Sequence, residues 1–487
     1  MDSADVTRAD ARDRQYGGGI VPEDALDVPI MLAGRPELLR DACDRAARYL
    51  AGIGDRRVAP DAAEVARLTE LDFALPAAGL PAADVLSRLD TIGSPATVAS
   101  NGPRYFGFVT GAALPVAQAA AWLGAAWDQN AALTVMSPVA ARLAVVATRW
   151  ITDLLGLPEE TAGAFVTGAT MANATCLGAA RDAVLTRHGW DAAGQGLVGA
   201  PQITVVVGAE VHTTVRKALG LIGLGRDRVL TLPADGQGRI VPANLPAVSG
   251  PAIVCLQAGN VNTGGSDPFP PLMDWARRQG AWIHVDGAFG LWAAAAPELA
   301  DRVAGIAGAD SWATDCHKWL NTTYDCGVAL VRERHTLLAA MEASASYLPG
   351  ADAEGMALTP MSSQRARGVE VWAALAMLGR AGVAGLVGRS CRLARRFAAG
   401  LRDAGFDVLN EVVLNQVLVS FGTAAETDAV IAAVQADGTC WCGPTTWRDV
   451  RAMRISVSGW STTDSDIDRS VAAVRRAADA SRSSLAG

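Results

Sequence analysis

Histidine and tyrosine are scarce in this chain, five of each among 487 residues, and no segment of it is strongly basic. Net charge is −8 and is spread along the sequence, so a nucleic-acid partner is not expected. No unbroken apolar run approaches the ~20 residues that cross a bilayer, which argues against a membrane protein. The opening stretch, "MDSADVTRADARDRQYGGG", is polar, of mixed charge and without an apolar h-region, so it does not read as a signal peptide. A cytoplasmic location is the expectation. The histidines, at 188, 212, 284, 317 and 335, form no H-E-x-x-H or similar cluster. The eight cysteines (43, 176, 255, 316, 326, 391, 440 and 442) match neither a disulfide framework nor a zinc site. "CWC" at 440–442 is a weak metal pattern on its own. Reduced thiols and no metal are the reading that remains.

Half of the residues are hydrophobic, ample for a large core and for more than one folding unit. Residues 1–30 have the texture of a loosely attached segment. Residues 31–150 are rich in alanine and leucine at helical spacing, as in "PELLRDACDRAARYLAGI". Over 160–345, short β-branched runs such as "ITVVV", "AIVCLQAG", "AWIHVDG" and "GVALV" alternate with helical stretches. That alternation implies βαβ units and a mostly parallel sheet. A Pro/Gly/Ser-punctuated segment at 345–365 reads as a mobile loop. A helical run, "ARGVEVWAALAMLG", and a smaller α+β piece follow, with no internal repeats.

Four local features fall where strands are predicted to end, the place at which open α/β sheets bind ligands. In "GAFVTGATMANATCLGAARD" the turn Thr167-Gly168-Ala169-Thr170 opens into an alanine-rich helix, whose unpaired amides and positive dipole end suit a phosphate. His212 in "VVVGAEVHTTVRKA" lies between a strand and a helix. Asp286 ends the apolar run "AWIHVDG", where a carboxylate needs a partner, and small residues beside it would admit a flat ring. Lys318 lies in "TDCHKWLNTT"; a partly buried lysine there has a lowered pKa and attacks aldehydes. Singly, these read as a capped helix, a structural histidine, a strand-end carboxylate and a snorkelling lysine. Together they are the set that pyridoxal phosphate requires.

On "TGATMAN", "HVDGAFG", "DSWATDCHKWLN" and "RARGVEVWAAL", the sequence resembles the group II pyridoxal-phosphate-dependent amino-acid decarboxylases, from about "PRYFGFVTG" (103–111) through "MRISVSGWSTTD" (453–464). The resemblance implies an α/β fold of fold-type I, aspartate aminotransferase-like. It implies an N-terminal helical, dimerisation segment at 1–100, a large cofactor domain with a mostly parallel seven-stranded sheet at 101–375, and a small C-terminal α+β domain at 376–487. It further implies that Lys318 forms the Schiff base with pyridoxal 5'-phosphate, that Asp286 pairs with the pyridine nitrogen, and that Ala288 and His212 take its two faces. Gly168, Ala169 and Thr170, with His317, would hold the phosphate, and Asn260 would lie near the ring oxygen. Tyr105, Phe106 and Phe108 would contribute to the pocket of an amino-acid substrate, the site lying at a homodimer interface. The alanine-, glycine- and arginine-rich composition resembles that of a high-GC bacterial source, compatible with specialised metabolism.

One position departs from the family. Its loop tyrosine, which returns a proton to carbon after carbon dioxide leaves, aligns with Leu358. His212 and Tyr347 are the candidates to replace it. The expected activity is decarboxylation through a quinonoid. The alternatives are decarboxylation-dependent oxidative deamination to an aldehyde, β-elimination as a C–S lyase, and an inactive paralogue. No arginine stands out as the partner of a second substrate carboxylate, so the aromatic residues weakly favour a bulky amino acid.

Overall fold

The computed structural model describes residues 28–342 and 355–485. Tyr347 and the first part of the punctuated segment lie outside them. The chain divides into two compact units, one comprising residues up to Gly52 with Ala62–Thr97, the other Ile53–Asp61 with Val98 onward. The first unit is helical, led by α1 (Val28–Gly52). Arg45 on α1 pairs with Asp41 one turn back at 2.9 Å and with Asp90 at 3.0 Å.

The second unit opens with α2 (Pro115–Trp127) and α3 (Pro138–Leu154), each with proline in its first turn, where the missing amide costs nothing. Its main sheet has seven strands: β1 (Ala162–Val166), β2 (Thr204–Gly208), β3 (Val229–Leu232), β4 (Ala252–Gln257), β5 (Trp282–Asp286), β6 (Ser311–Asp315) and β7 (Gly327–Val331). They lie in the order β1-β7-β6-β5-β4-β2-β3, and only β7 runs antiparallel to its neighbours. Strands β4 to β7 are buried along their whole length, as a sheet covered on both faces demands. Helices α4 (Ala169–Thr186) and α5 (Thr213–Leu221) follow β1 and β2. This is the mostly parallel seven-stranded sheet that the alternating pattern implies.

Helix α6 (Gly368–Asp403) is long and apolar enough to cross a bilayer by length and composition, its most apolar 18-residue window having a mean hydropathy of 1.5. Its isolated charges interrupt every apolar run, so a search for an unbroken one passes over it. It bends at Gly379, whose φ of 58° leaves the helical range, and packs on α2 and α3. After it come α7 (Ala424–Asp437), α8 (Asp464–Leu485) and a four-stranded antiparallel sheet. That sheet is formed by β8 (Asp407–Val408), β9 (Gln416–Ser420), β10 (Gly443–Trp447) and β11 (Val450–Ser456), and it has its own apolar core.

The segment "PRYFGF" is clamped onto this smaller layer. Buried Arg104 pairs with Asp466 at 3.0 Å and donates to the Thr439 and Gly54 carbonyls, both at 2.7 Å. The Phe106 amide donates to the Trp441 carbonyl at 2.9 Å, and the Trp441 amide returns a bond to Arg104 at 3.1 Å. The "CWC" stretch is thus part of a backbone pairing, with both sulfurs buried.

Candidate active site

The ends of β1, β2, β5 and β6 face one cavity of about 480 Å³. Its lining includes Gly168, Ala169 and Thr170 from the start of α4, His212 before α5, Asp286 and Ala288 after β5, and His317 and Lys318 after β6. These eight positions singled out in the sequence meet in space because open sheets collect their strand-end turns on one edge, and Phe108 joins them as a ninth.

Local structure holds each in place. The β6–β7 connection is folded back on itself: the Cys316 and His317 amides both donate to the Cys326 carbonyl, and His317 Nδ1 accepts the Cys326 amide at 3.1 Å. Asn321 fixes the Lys318 turn, its Nδ2 donating to the carbonyls of Lys318, Trp319 and Ser458 at 3.2, 3.1 and 3.0 Å. A Cβ at Gly111 would come within 1.9 Å of the Lys318 carbonyl oxygen, so only glycine lets that strand of backbone pass. His212 caps α5: its Nδ1 accepts the Thr214 amide at 3.3 Å, which puts the proton of the neutral ring on Nε2. Burial pushes His212 and His317 below the usual imidazole range, so both are neutral at pH 7. Burial pushes the Asp286 carboxyl up, against the pull of His212 and Lys318.

Three titratable lining residues escaped the sequence reading. Asp315, at the end of β6 and 2% exposed, accepts the Ala169 amide at 2.6 Å through Oδ1 and lies 2.8 Å from Lys318 Nζ through Oδ2. Its place three residues before the lysine was a signal within the quoted motif. Tyr324 packs on the His317 ring with centroids 4.3 Å apart and donates to Thr110 Oγ1 at 3.4 Å. Arg454, on β11, enters the cavity without a carboxylate partner among the described residues, and burial lowers its pKa. Its guanidinium, set between the buried Met453 and Ile455 of β11, is the signal that reasoning passed over. So is the lysine count: Lys318 and Lys217 are the only two in the chain.

Four positions are not in the cavity lining. Asn260 spends its side chain on its own turn, Oδ1 accepting the amides of Asn262 and Thr263 at 2.9 and 3.2 Å. Phe106 is 1% exposed and packs edge-on against Phe397 in the smaller core. Tyr105 stacks on Trp441 with centroids 5.2 Å apart, and burial pushes its phenol up to about 12. Of the aromatic trio, Phe108 alone reaches the cavity. Leu358, in the 3-10 turn Gly355–Leu358, is buried in the core near β1 and is not part of the cavity lining.

The residues that do line the cavity fit pyridoxal phosphate. Asp286 is 4% exposed and no cation pairs with it among the described residues, so a ring N–H⁺ would supply the charge its burial demands. The Thr170 and Met171 amides in the first turn of α4 have no acceptor among the described residues, which leaves donors for a phosphate.

The pattern of the pyridoxal-dependent decarboxylase conserved domain matches residues 66–423. Tryptophan decarboxylase 1 of Oryza sativa subsp. japonica is 28% identical over 358 residues, 68% of this chain and 68% of its own length. Phenylacetaldehyde synthase of Arabidopsis thaliana is 26% identical over 298 residues, 56% of this chain and 59% of its own. Among solved structures, Oryza sativa TDC with PLP and tryptamine superposes with a TM-score of 0.82 at 21% identity, covering 92% of this chain and 98% of that one. The fold is the fold-type I arrangement of such enzymes. With strand ends, helix start and lysine arranged for one cofactor, and with well over half of its length matched, the chain belongs to the pyridoxal-dependent decarboxylase family, whose cofactor is pyridoxal 5'-phosphate.

Proposed function

We propose that this enzyme decarboxylates an amino acid to its amine. The observation that carries the reading is the convergence of Lys318, Asp286 and the α4 N-terminus on one cavity. Lys318 would hold the cofactor's aldehyde carbon through Nζ, Asp286 its ring nitrogen, Ala288 and His212 its faces, and the first turn of α4 its phosphate. When bound, pyridoxal phosphate supplies an electron sink for the bond that breaks at the substrate α-carbon.

The remaining cavity residues divide the rest of the work. Arg454 revises the substrate expectation, because an unpaired guanidinium facing the cavity calls for an anion. The departing α-carboxylate would only be stabilised in the ground state by such a partner, which would slow its loss. The guanidinium is better matched to a second acidic group, on the substrate side chain. Arg454→Met is expected to lower kcat/KM for acidic amino acids by roughly 10²-fold and to leave aromatic ones nearly unchanged. Equal losses on both classes would assign Arg454 to the α-carboxylate or to the fold.

With Leu358 packed in the core, Tyr324 is the phenol placed to return a proton from Oη to the carbon that the carboxylate leaves. Tyr324→Phe is expected to slow amine formation by about 10²-fold. It should also raise the aldehyde share of product, read by mass spectrometry with an oxygen electrode. Unchanged rate and partition would remove Tyr324 from the proton path.

The test of the whole reading offers acidic, aromatic and S-substituted amino acids to the purified protein and follows products, carbon dioxide and oxygen. Amine and carbon dioxide without oxygen uptake are expected. Oxygen uptake with aldehyde would favour the second reading, oxidative deamination, which the leucine at 358 in place of the family's loop tyrosine supports. Thiol release without carbon dioxide would sink both. A homodimer is also part of the proposal, supported by apolar side chains left exposed on and beside α2 and α3, among them Trp127, Val135 and Val145. The mass in solution decides it.

A further inference from the structure

We infer that Asp315 is a displaceable counter-anion, which in the cofactor-free enzyme takes the place of the phosphate at the start of α4 and ties down Lys318. The inference rests on the reading that this cavity takes pyridoxal phosphate. Its basis is the position of one carboxylate between two partners that the cofactor would claim. Oδ1 accepts the Ala169 amide at 2.6 Å, an N–H at the head of the anion-binding turn. Oδ2 lies 2.8 Å from the amine that must reach the cofactor's aldehyde. His317 Nε2, the expected extra phosphate donor, is 3.7 Å from Oδ1.

The carboxylate is wedged on its other side. A Cβ built on Gly327 would lie 2.9 Å from Asp315 Oδ1 and 2.6 Å from the Gly168 backbone. Strand β7 therefore leaves no room for the side chain to retreat toward the sheet, and its free direction is into the cavity. An incoming phosphate meets a negative charge already bonded to the turn that should bind it. Like charges at such a distance in a buried site oppose one another strongly. Phosphate can settle only as Asp315 gives up the Ala169 amide. In doing so it loosens the hold on Lys318, so the amine comes free as the cofactor arrives. An asparagine in its place would keep an acceptor for the Ala169 amide while removing the charge.

The test uses the full chain stripped of cofactor, titrated with inorganic phosphate by calorimetry and with pyridoxal phosphate by absorbance. Asp315→Asn is expected to tighten phosphate binding about tenfold or more and pyridoxal phosphate binding in the same direction. Should that variant not fold, the comparison moves to a pair. Lys318→Met alone should weaken phosphate binding by leaving Asp315 unopposed, and Asp315→Asn added to it should restore or exceed wild-type affinity. A wild-type protein that turns yellow with pyridoxal phosphate, alongside an Asp315→Asn variant that binds phosphate no tighter, would overturn the inference and leave the functional reading standing. The same holds if the pair binds phosphate no better than Lys318→Met. A wild-type protein that takes neither phosphate nor pyridoxal phosphate would remove the functional reading, and the inference with it.

Discussion

Lys318→Ala is expected to yield a colourless protein whose turnover falls by about 10³-fold or more, since the covalent partner of the cofactor is gone. No second amine stands ready. Lys217, the other lysine, lies exposed on α5 and outside the cavity lining. The variant should also be less stable. Asp315, 2% exposed, loses the cation 2.8 Å away, and a buried charge stripped of its partner costs about 3–5 kcal/mol. Adding Asp315→Asn should recover most of that loss without restoring colour, which separates the lysine's chemical role from its structural one. Visible absorbance, borohydride fixation followed by peptide mapping, and thermal melts make the measurement. Colour that survives in Lys318→Ala, with cofactor fixed at Lys217, would displace Lys318 from the proposed role.

The sheet and half of the cavity were legible in the sequence for a shared reason. Strands buried on both faces are near-continuous apolar runs, and the functional turns sit at their ends, so Gly168, His212, Asp286 and Lys318 stand out against what precedes them. The misplacements have equally local causes. Asn260 looked like a ligand, but an asparagine after a strand commonly closes its own turn, as this one does. Phe106 and Phe108 would share one side of an extended segment. Yet Phe108 and Val109 adopt φ of 53° and 57°, which breaks the alternation and sends Phe106 to the core and Phe108 to the cavity. Arg454 comes from a strand of the other sheet, so its charge is visible in the sequence while the cavity it enters is not.

Asp286→Asn is expected to move activity and apo-protein stability in opposite directions. Turnover should fall by roughly 10³-fold, because the carboxylate that would hold the ring nitrogen's positive charge is replaced by a neutral amide. Without cofactor, the wild-type carboxylate is a burden. Burial raises its pKa above the unfolded value, so the folded state binds the extra proton between the ordinary carboxylate range and the raised one. Stability must then fall as pH rises through that window, and the loss is complete above the folded pKa. Asparagine has no proton to lose. The cofactor-free variant should match wild type near pH 4 and exceed it increasingly toward neutrality, by on the order of 1–3 kcal/mol. Adding pyridoxal phosphate should reverse the order, since the cofactor's cation offsets the charge only in wild type. Melting both proteins from acid to neutral pH, with and without cofactor, reads all of this. A cofactor-free variant less stable than wild type at neutral pH would show that His212 and Lys318 already satisfy the Asp286 charge, leaving no electrostatic vacancy for a ring nitrogen to fill.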